Sequence, residues 1–213
     1  MKIKIVTLFP KMFESPFEES IIKRAIKNNL VKIEIINLRD YATDKYKTVD
    51  DKPFGGGVGM LLKVDVMDRC LNGMGRGNLA RTILMSARGK RFTQEKAEEL
   101  AKLDEIVFVC GHYEGVDQRI ADHLVDEEIS VGDFVTTGGE LPAMTIIDSI
   151  VRLLPGVLGK DESSNEESFS KSLGRKTEYP QYTRPAEYKG WKVPEELLSG
   201  DPKLIDKFKK ENS

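Results

Sequence analysis

The sequence predicts an α/β domain with a mainly parallel sheet, followed by a small helical appendage. Three observations carry this. Short apolar strands alternate with helical patterns through the first 159 residues. Two of those strands run straight into glycine-rich loops. Beyond Gly159 the composition turns abruptly polar, from Lys160 to Glu167.

Taken in order, Lys2–Phe9 alternates with period two and is closed by Pro10. Ser15-Pro16-Phe17-Glu18 carries the signs of a helix start, and Ile21, Ile22, Ala25 and Ile26 form its apolar stripe. Val31–Ile36 is a second strand. Arg81–Met85 and Glu105–Cys110 are expected to be buried strands, with a helix over Thr93–Leu103 between them. Leu141–Leu154 is a long apolar helix stopped by Pro155-Gly156. This gives three regions: a catalytic domain over 1–159, a flexible linker over 160–178, and a shortened helical domain over 179–213. In the last, Asp201-Pro202 caps a helix bearing Leu204, Ile205 and Phe208.

A chain of 213 residues can bury a core without disulfide staples. Its only cysteines, Cys70 and Cys110, are expected to be free thiols. No stretch is long and apolar enough to span a membrane, and the N-terminus lacks a signal-peptide core, so a cytoplasmic protein is expected. The net charge of −2 argues weakly against nucleic-acid binding. Its distribution argues the other way: Ser168–Ser213 has 10 bases against 7 acids, and Arg76–Arg91 has five bases and no acid.

Four segments stand out as carriers of chemistry, the last of them Arg152 near the end of the long helix, followed by the acidic linker. Asp50–Met60 contains Gly55-Gly56-Gly57-Val58-Gly59, which lets a flat ligand approach the backbone, or simply makes a tight connection. It lacks the Gly-Lys-Ser/Thr of a nucleotide P-loop. Cys110–Arg119 follows a strand directly, where open α/β sheets bind ligands. Its Glu114 and Asp117 also suit a helix N-terminus. The Cys110-x-His112 pair lacks the further spaced ligands that zinc requires, so no metal is expected. Ser130–Met144 joins a strand to the long helix through Gly138-Gly139. There is no nucleophile elbow or zinc-protease helix. Loops of this kind point to a ligand with a purine and a ribose.

At Leu8–Phe13, Val49–Met60, Val109–Asp117, Ile129–Met144, Arg152–Gly159 and Pro180–Pro185 the sequence closely resembles the bacterial tRNA (guanine-N1)-methyltransferases, of the SPOUT superfamily. The resemblance implies a trefoil-knotted methyltransferase fold, a homodimer with shared active sites, S-adenosylmethionine as methyl donor, and tRNA methylated at N1 of guanosine 37. It implies that the donor is held by Leu84, Met85, Ser86, Gly111, Tyr113, Glu114, Ser130, Val131, Gly132, Phe134, Thr136, Gly138, Gly139 and Pro142. It assigns the substrate to Asp50, Pro53, Gly55, Gly57, Gly59, His112 and Arg184. Catalysis falls to Arg152 and to an acid in the linker, Glu167, with its neighbour Glu166 as competitor. The chemistry itself asks for such a pair. Guanine N1 must lose a proton, and charge then grows on O6. Assistance by Mg2+ is not readable from the sequence.

The sequence departs from the family at several points. Glu167 stands where an aspartate is usual, and Ala87 where a proline is. The stretch from Ser170 to Tyr179 is longer, and relatives continue beyond the position of Ser213, so weaker tRNA binding is expected. Competing readings are a ribose methyltransferase of the same superfamily, a non-catalytic RNA-binding module, and a hydrolase using Glu114 with Asp117. Arg152 paired with Glu167 speaks for catalysis over mere binding.

Overall fold

The computed structural model describes residues 1–75, 77, 79–158 and 167–213. The chain forms two compact units, Met1–Gly159 and Lys160–Ser213.

The first unit is built on five strands: β1 (Lys2–Thr7), β2 (Lys32–Asn37), β5 (Arg81–Arg91), β6 (Glu105–Cys110) and β7 (Glu127–Ser130). They lie in the order β2-β1-β6-β5-β7, and every neighbouring pair is parallel. All five C-terminal ends therefore fall on one edge of the sheet. A small antiparallel pair, β3 (Asp50–Asp51) with β4 (Leu61–Leu62), stands apart. The helices are α1 (Glu14–Phe17), α2 (Ser20–Lys27), α3 (Val64–Gly73), α4 (Gln94–Leu100), α5 (Gln118–His123) and α6 (Glu140–Val151).

Helices cover both faces, which is why β1 and β6 are buried almost throughout. One core packs Ile3, Ile5, Phe108 and Ile83 with Ile146, Ile147 and Ile150 of α6. The other packs Val6, Val107 and Val109 with Met67, Cys70 and Leu71 of α3. Both cysteines are free and buried, and burial pushes the Cys70 thiol up to about 12.

The alternation read in β1 places Lys4 on a polar face, yet Lys4 is only 1% exposed. Its Nζ donates to the carbonyls of Met74 (3.0 Å) and Gly75 (2.8 Å) and lies 3.2 Å from Glu105 Oε1. Lys4 thus satisfies carbonyls at the end of α3, which otherwise have no helical partner. Removing one member of a buried ion pair leaves the rest uncompensated. Lys4→Ala should destabilise the protein by about 3 kcal/mol, read as a lower urea midpoint.

Other boundaries differ from expectation. The helix read from Ser15 is broken into α1 and α2, because Glu19 is extended and Ser20 has a positive φ of 51°. The break lets Phe13 and Phe17 pack at 5.7 Å before α2 buries Ile22 and Ala25. The side chain of Thr93 caps α4, accepting from Lys96 N, and α4 stops at Leu100 rather than Leu103. The long apolar helix is α6, shifted to start at Glu140 and to end at Val151, with tight turns carrying the chain on to Leu154.

Strand β5 runs well past Met85. Ile129 of β7 pairs with Met85 and then again with Lys90, across a register shift. Gly89 lies against the β7 backbone so closely that a Cβ there would collide with Glu128 C and Ile129 N.

The second unit holds a hairpin, β8 (Glu187–Tyr188) with β9 (Trp191–Lys192), then α7 (Glu195–Leu198) and α8 (Pro202–Glu211). Asp201 caps α8 by accepting from Lys203 N at 2.9 Å. Residues 167–178 form hydrogen-bonded turns, with Ser170 N donating to Glu167 O and Arg175 N to Ser170 O.

Candidate functional site at the strand ends

Three loops gather where β5, β6 and β7 end. Gly139 N donates to Gly111 O at 2.8 Å, and His112 bridges to Gly138, so the loop after β6 is laced to the one before α6. On its other side the same loop holds β4. Glu114 N donates to Met60 O (3.1 Å), Leu62 N to Gly115 O (3.0 Å) and Asp117 N to Leu62 O (3.0 Å). The glycine-rich loop between β3 and β4 therefore hangs directly from the loop after β6.

These loops enclose a cleft of about 510 Å3, within the range of small-molecule sites. Leu84, Ile129, Val131 and Pro142 give it apolar walls, and backbone at Ser86, Gly111 and Gly138 gives it polar points. Its charged lining is Glu114, Glu128 and Arg88, two carboxylates against one guanidinium. Such a lining suits a flat nucleoside carrying a positive charge.

Of the residues expected to hold the donor, Leu84, Met85, Ser86, Gly111, Tyr113, Glu114, Ser130, Val131, Phe134, Thr136, Gly138, Gly139 and Pro142 line this cleft. Gly132 does not line it, and instead fixes the loop. Its carbonyl accepts from Ser130 Oγ at 2.9 Å and its N–H donates back at 3.2 Å. Sequence reasoning passed over Arg88 and Glu128 as site residues. Arg88 lies only two residues beyond Ser86, but as one of five bases in Arg76–Arg91 it carried no signal that set it apart.

The residues assigned to the substrate spread more widely. His112 lines the cleft. Asp50 sits in β3, and Gly55, Gly56, Gly57 and Gly59 all have positive φ, a conformation only glycine adopts freely. Gly59 packs on the side chain of Glu114 with no room for a Cβ. Phe54 is 100% and Val58 91% exposed in this loop, which Pro53 precedes. Arg184 belongs to the second unit, where it lines a groove with Tyr179 and Tyr182. Arg152 ends α6 in the first unit, its N–H donating to Asp148 O, and Glu167 begins the described part of the second. Glu166 lies outside the described residues.

Asp117 is occupied otherwise. Its carboxylate accepts from Arg119 N and pairs with Arg119 Nη2 at 2.7 Å, which holds it below the usual carboxylate range. It is the cap of α5, not one half of an acid pair with Glu114.

The model of the family described as tRNA (Guanine-1)-methyltransferase TrmD matches residues 1–213. The chain is 52% identical to a tRNA (guanine-N(1)-)-methyltransferase of Dehalococcoides mccartyi, with all of the chain and 86% of the relative covered. It is 53% identical to the enzymes of that name from Bacillus subtilis, over all of the chain and 87% of the relative, and from Staphylococcus aureus, over 99% and 85%. A match over every residue and identity at this level place the chain, a mixed α/β protein on a parallel sheet, in the tRNA (guanine-1)-methyltransferase TrmD family.

Proposed function

We propose that the protein methylates N1 of guanosine 37 in tRNA, using S-adenosylmethionine bound in the cleft at the ends of β5, β6 and β7. The observation that carries this reading is the cleft itself. Backbone groups and apolar walls suit adenosine, and the excess of carboxylate suits a sulfonium. When bound, the donor supplies a methyl group already activated by sulfonium charge, which removes any requirement for a metal to make it electrophilic.

The chain's own residues do the rest. Glu167 takes the proton from guanine N1, and Arg152 offsets the negative charge that develops on O6. The loop Gly55–Gly59, with Asp50 and Pro53 at its base, holds the guanine, aided by His112. The second unit is the tRNA handle. Tyr182 beside Arg184 offers stacking next to charge, and Lys171, Arg175, Lys176 and Lys189 supply positive charge for phosphates.

The working form is a homodimer in the cytoplasm. Exposed Phe54, Val58, Val135 and Leu141 support a partner surface on the first unit. Among the described residues, no helix is long and apolar enough to cross a membrane. The double pairing of Ile129 with Met85 and Lys90, and the packing of Gly89 on β7, support a knotted passage of the chain there.

One assay tests the reaction. The protein is incubated with labelled S-adenosylmethionine and bulk tRNA, and the nucleosides are then separated. Label in 1-methylguanosine is expected. Label in a 2′-O-methyl nucleoside would overturn the reading in favour of a ribose methyltransferase.

A further inference from the structure

A buried acid sits behind the cleft with no part in the reaction described so far. Glu140, the first residue of α6, is 1% exposed. Thr7 Oγ1, at the end of β1, donates to its Oε1 at 2.7 Å, and Thr7 Oγ1 in turn accepts from Phe9 N at 2.9 Å. The other oxygen, Oε2, faces His112 Nδ1 at 3.9 Å. That nitrogen is sealed from solvent and has no hydrogen-bond partner. Gly138 closes the gap from above, since a Cβ there would strike both His112 Nδ1 and Glu140 Oε2.

The histidine ring is held in place around this contact. Phe9 lies 4.6 Å from its centroid and Tyr113 5.0 Å. The backbone of His112 is bridged to Gly138. Its side chain is 22% exposed although Nδ1 is covered, so the exposure belongs to its other atoms, and the residue lines the cleft. A buried N–H without an acceptor is costly, and a carboxylate oxygen of Glu140 stands 3.9 Å away to accept it. A movement of about 1 Å brings the pair into hydrogen-bond range.

We propose that Glu140 is a positioning residue that holds the proton of neutral His112 on Nδ1, so that Nε2 faces the cleft as a hydrogen-bond acceptor. An acceptor there suits the ring N–H or exocyclic amine of a purine and rejects its carbonyl edge. This deepens the proposed function, on which the choice of ligand rests. The tautomer itself stands independently of it.

The test is nitrogen-15 NMR of the imidazoles in the full-length protein. The chain has two histidines, His112 and His123, so His123→Gln assigns the signals. The expected result is a neutral His112 protonated at Nδ1, moving toward a mixture of tautomers in Glu140→Gln. In the methylation assay Glu140→Gln should lower kcat/KM for tRNA by roughly tenfold, with donor affinity within about twofold of wild type. A wild-type His112 protonated at Nε2 would overturn the proposal, even if Glu140→Gln failed to fold. Unchanged His112 signals in a folded Glu140→Gln protein would overturn it as well. If the Nδ1 tautomer is found but tRNA is not methylated, the functional reading fails and the positioning role stands.

Discussion

Glu167→Gln should slow single-turnover methylation of tRNA by about 10²-fold or more, the scale of a general base, while leaving donor binding unchanged. The substitution keeps the shape of the side chain and removes its basicity. A free glutamate has a pKa near 4.3, roughly three units below neutral, so it gains strength as a base only where solvent is partly excluded. Glu167 and Arg152 belong to different units of the chain. Glu167→Asp should retain measurable activity, because aspartate is the residue usual in the family. Glu166→Gln provides the contrast: a large loss there and a wild-type rate in Glu167→Gln would move the base by one residue.

Gly139→Val is expected to cost the cleft its donor, lowering affinity by roughly 10²-fold, or about 2.7 kcal/mol, in calorimetry. A Cβ at Gly139 would lie 2.8 Å from Cys110 Cα, 2.9 Å from Met85 Cβ and 3.0 Å from Gly111 N. Two of these are main-chain atoms at the end of β6, which cannot turn aside as a flexible side chain can. The loop must retreat instead, losing the bond from Gly139 N to Gly111 O. Gly139→Ala should show a smaller loss in the same direction. Circular dichroism should confirm that the sheet persists, and donor binding of wild-type strength in a folded Gly139→Val protein would refute the assignment of this loop.

Much of the fold was legible in the sequence, and the failures have physical causes. The strand over 105–110 was read from its apolar run and the one near 2–7 from alternation, which misled at Lys4. A buried ion pair looks the same in sequence as a solvated lysine. Helix α3 was passed over although Val66, Met67, Cys70 and Leu71 repeat with helical spacing, because polar residues separate them. The extension of β5 through Gly89 to Arg91 was invisible, since Ser86–Arg91 is polar and gains its pairing only from β7.

For the site, the glycine-rich loops were found because unusual composition marks backbone contact. Glu140 was read only as part of a loop, since its partners Thr7 and His112 are distant in sequence. Arg152 stood out at the end of the long helix, but its role and that of Glu167 were reached only by resemblance, because no local pattern joins two residues so far apart in sequence.

The double pairing of β7 also bears on solubility. An open sheet offers two free margins where another chain can add a strand and begin to aggregate. At one margin β2 sets Lys32 and Glu34 in an ion pair at 2.7 Å, with Lys2 of β1 close behind at 3.3 Å, a charged border that discourages an apolar newcomer. At the other, β7 is engaged twice by its own chain, and Phe92 N also donates to Ser130 O at 2.8 Å. A sheet bordered by charge at one end and by a strand paired twice at the other leaves little free edge for a further strand to join.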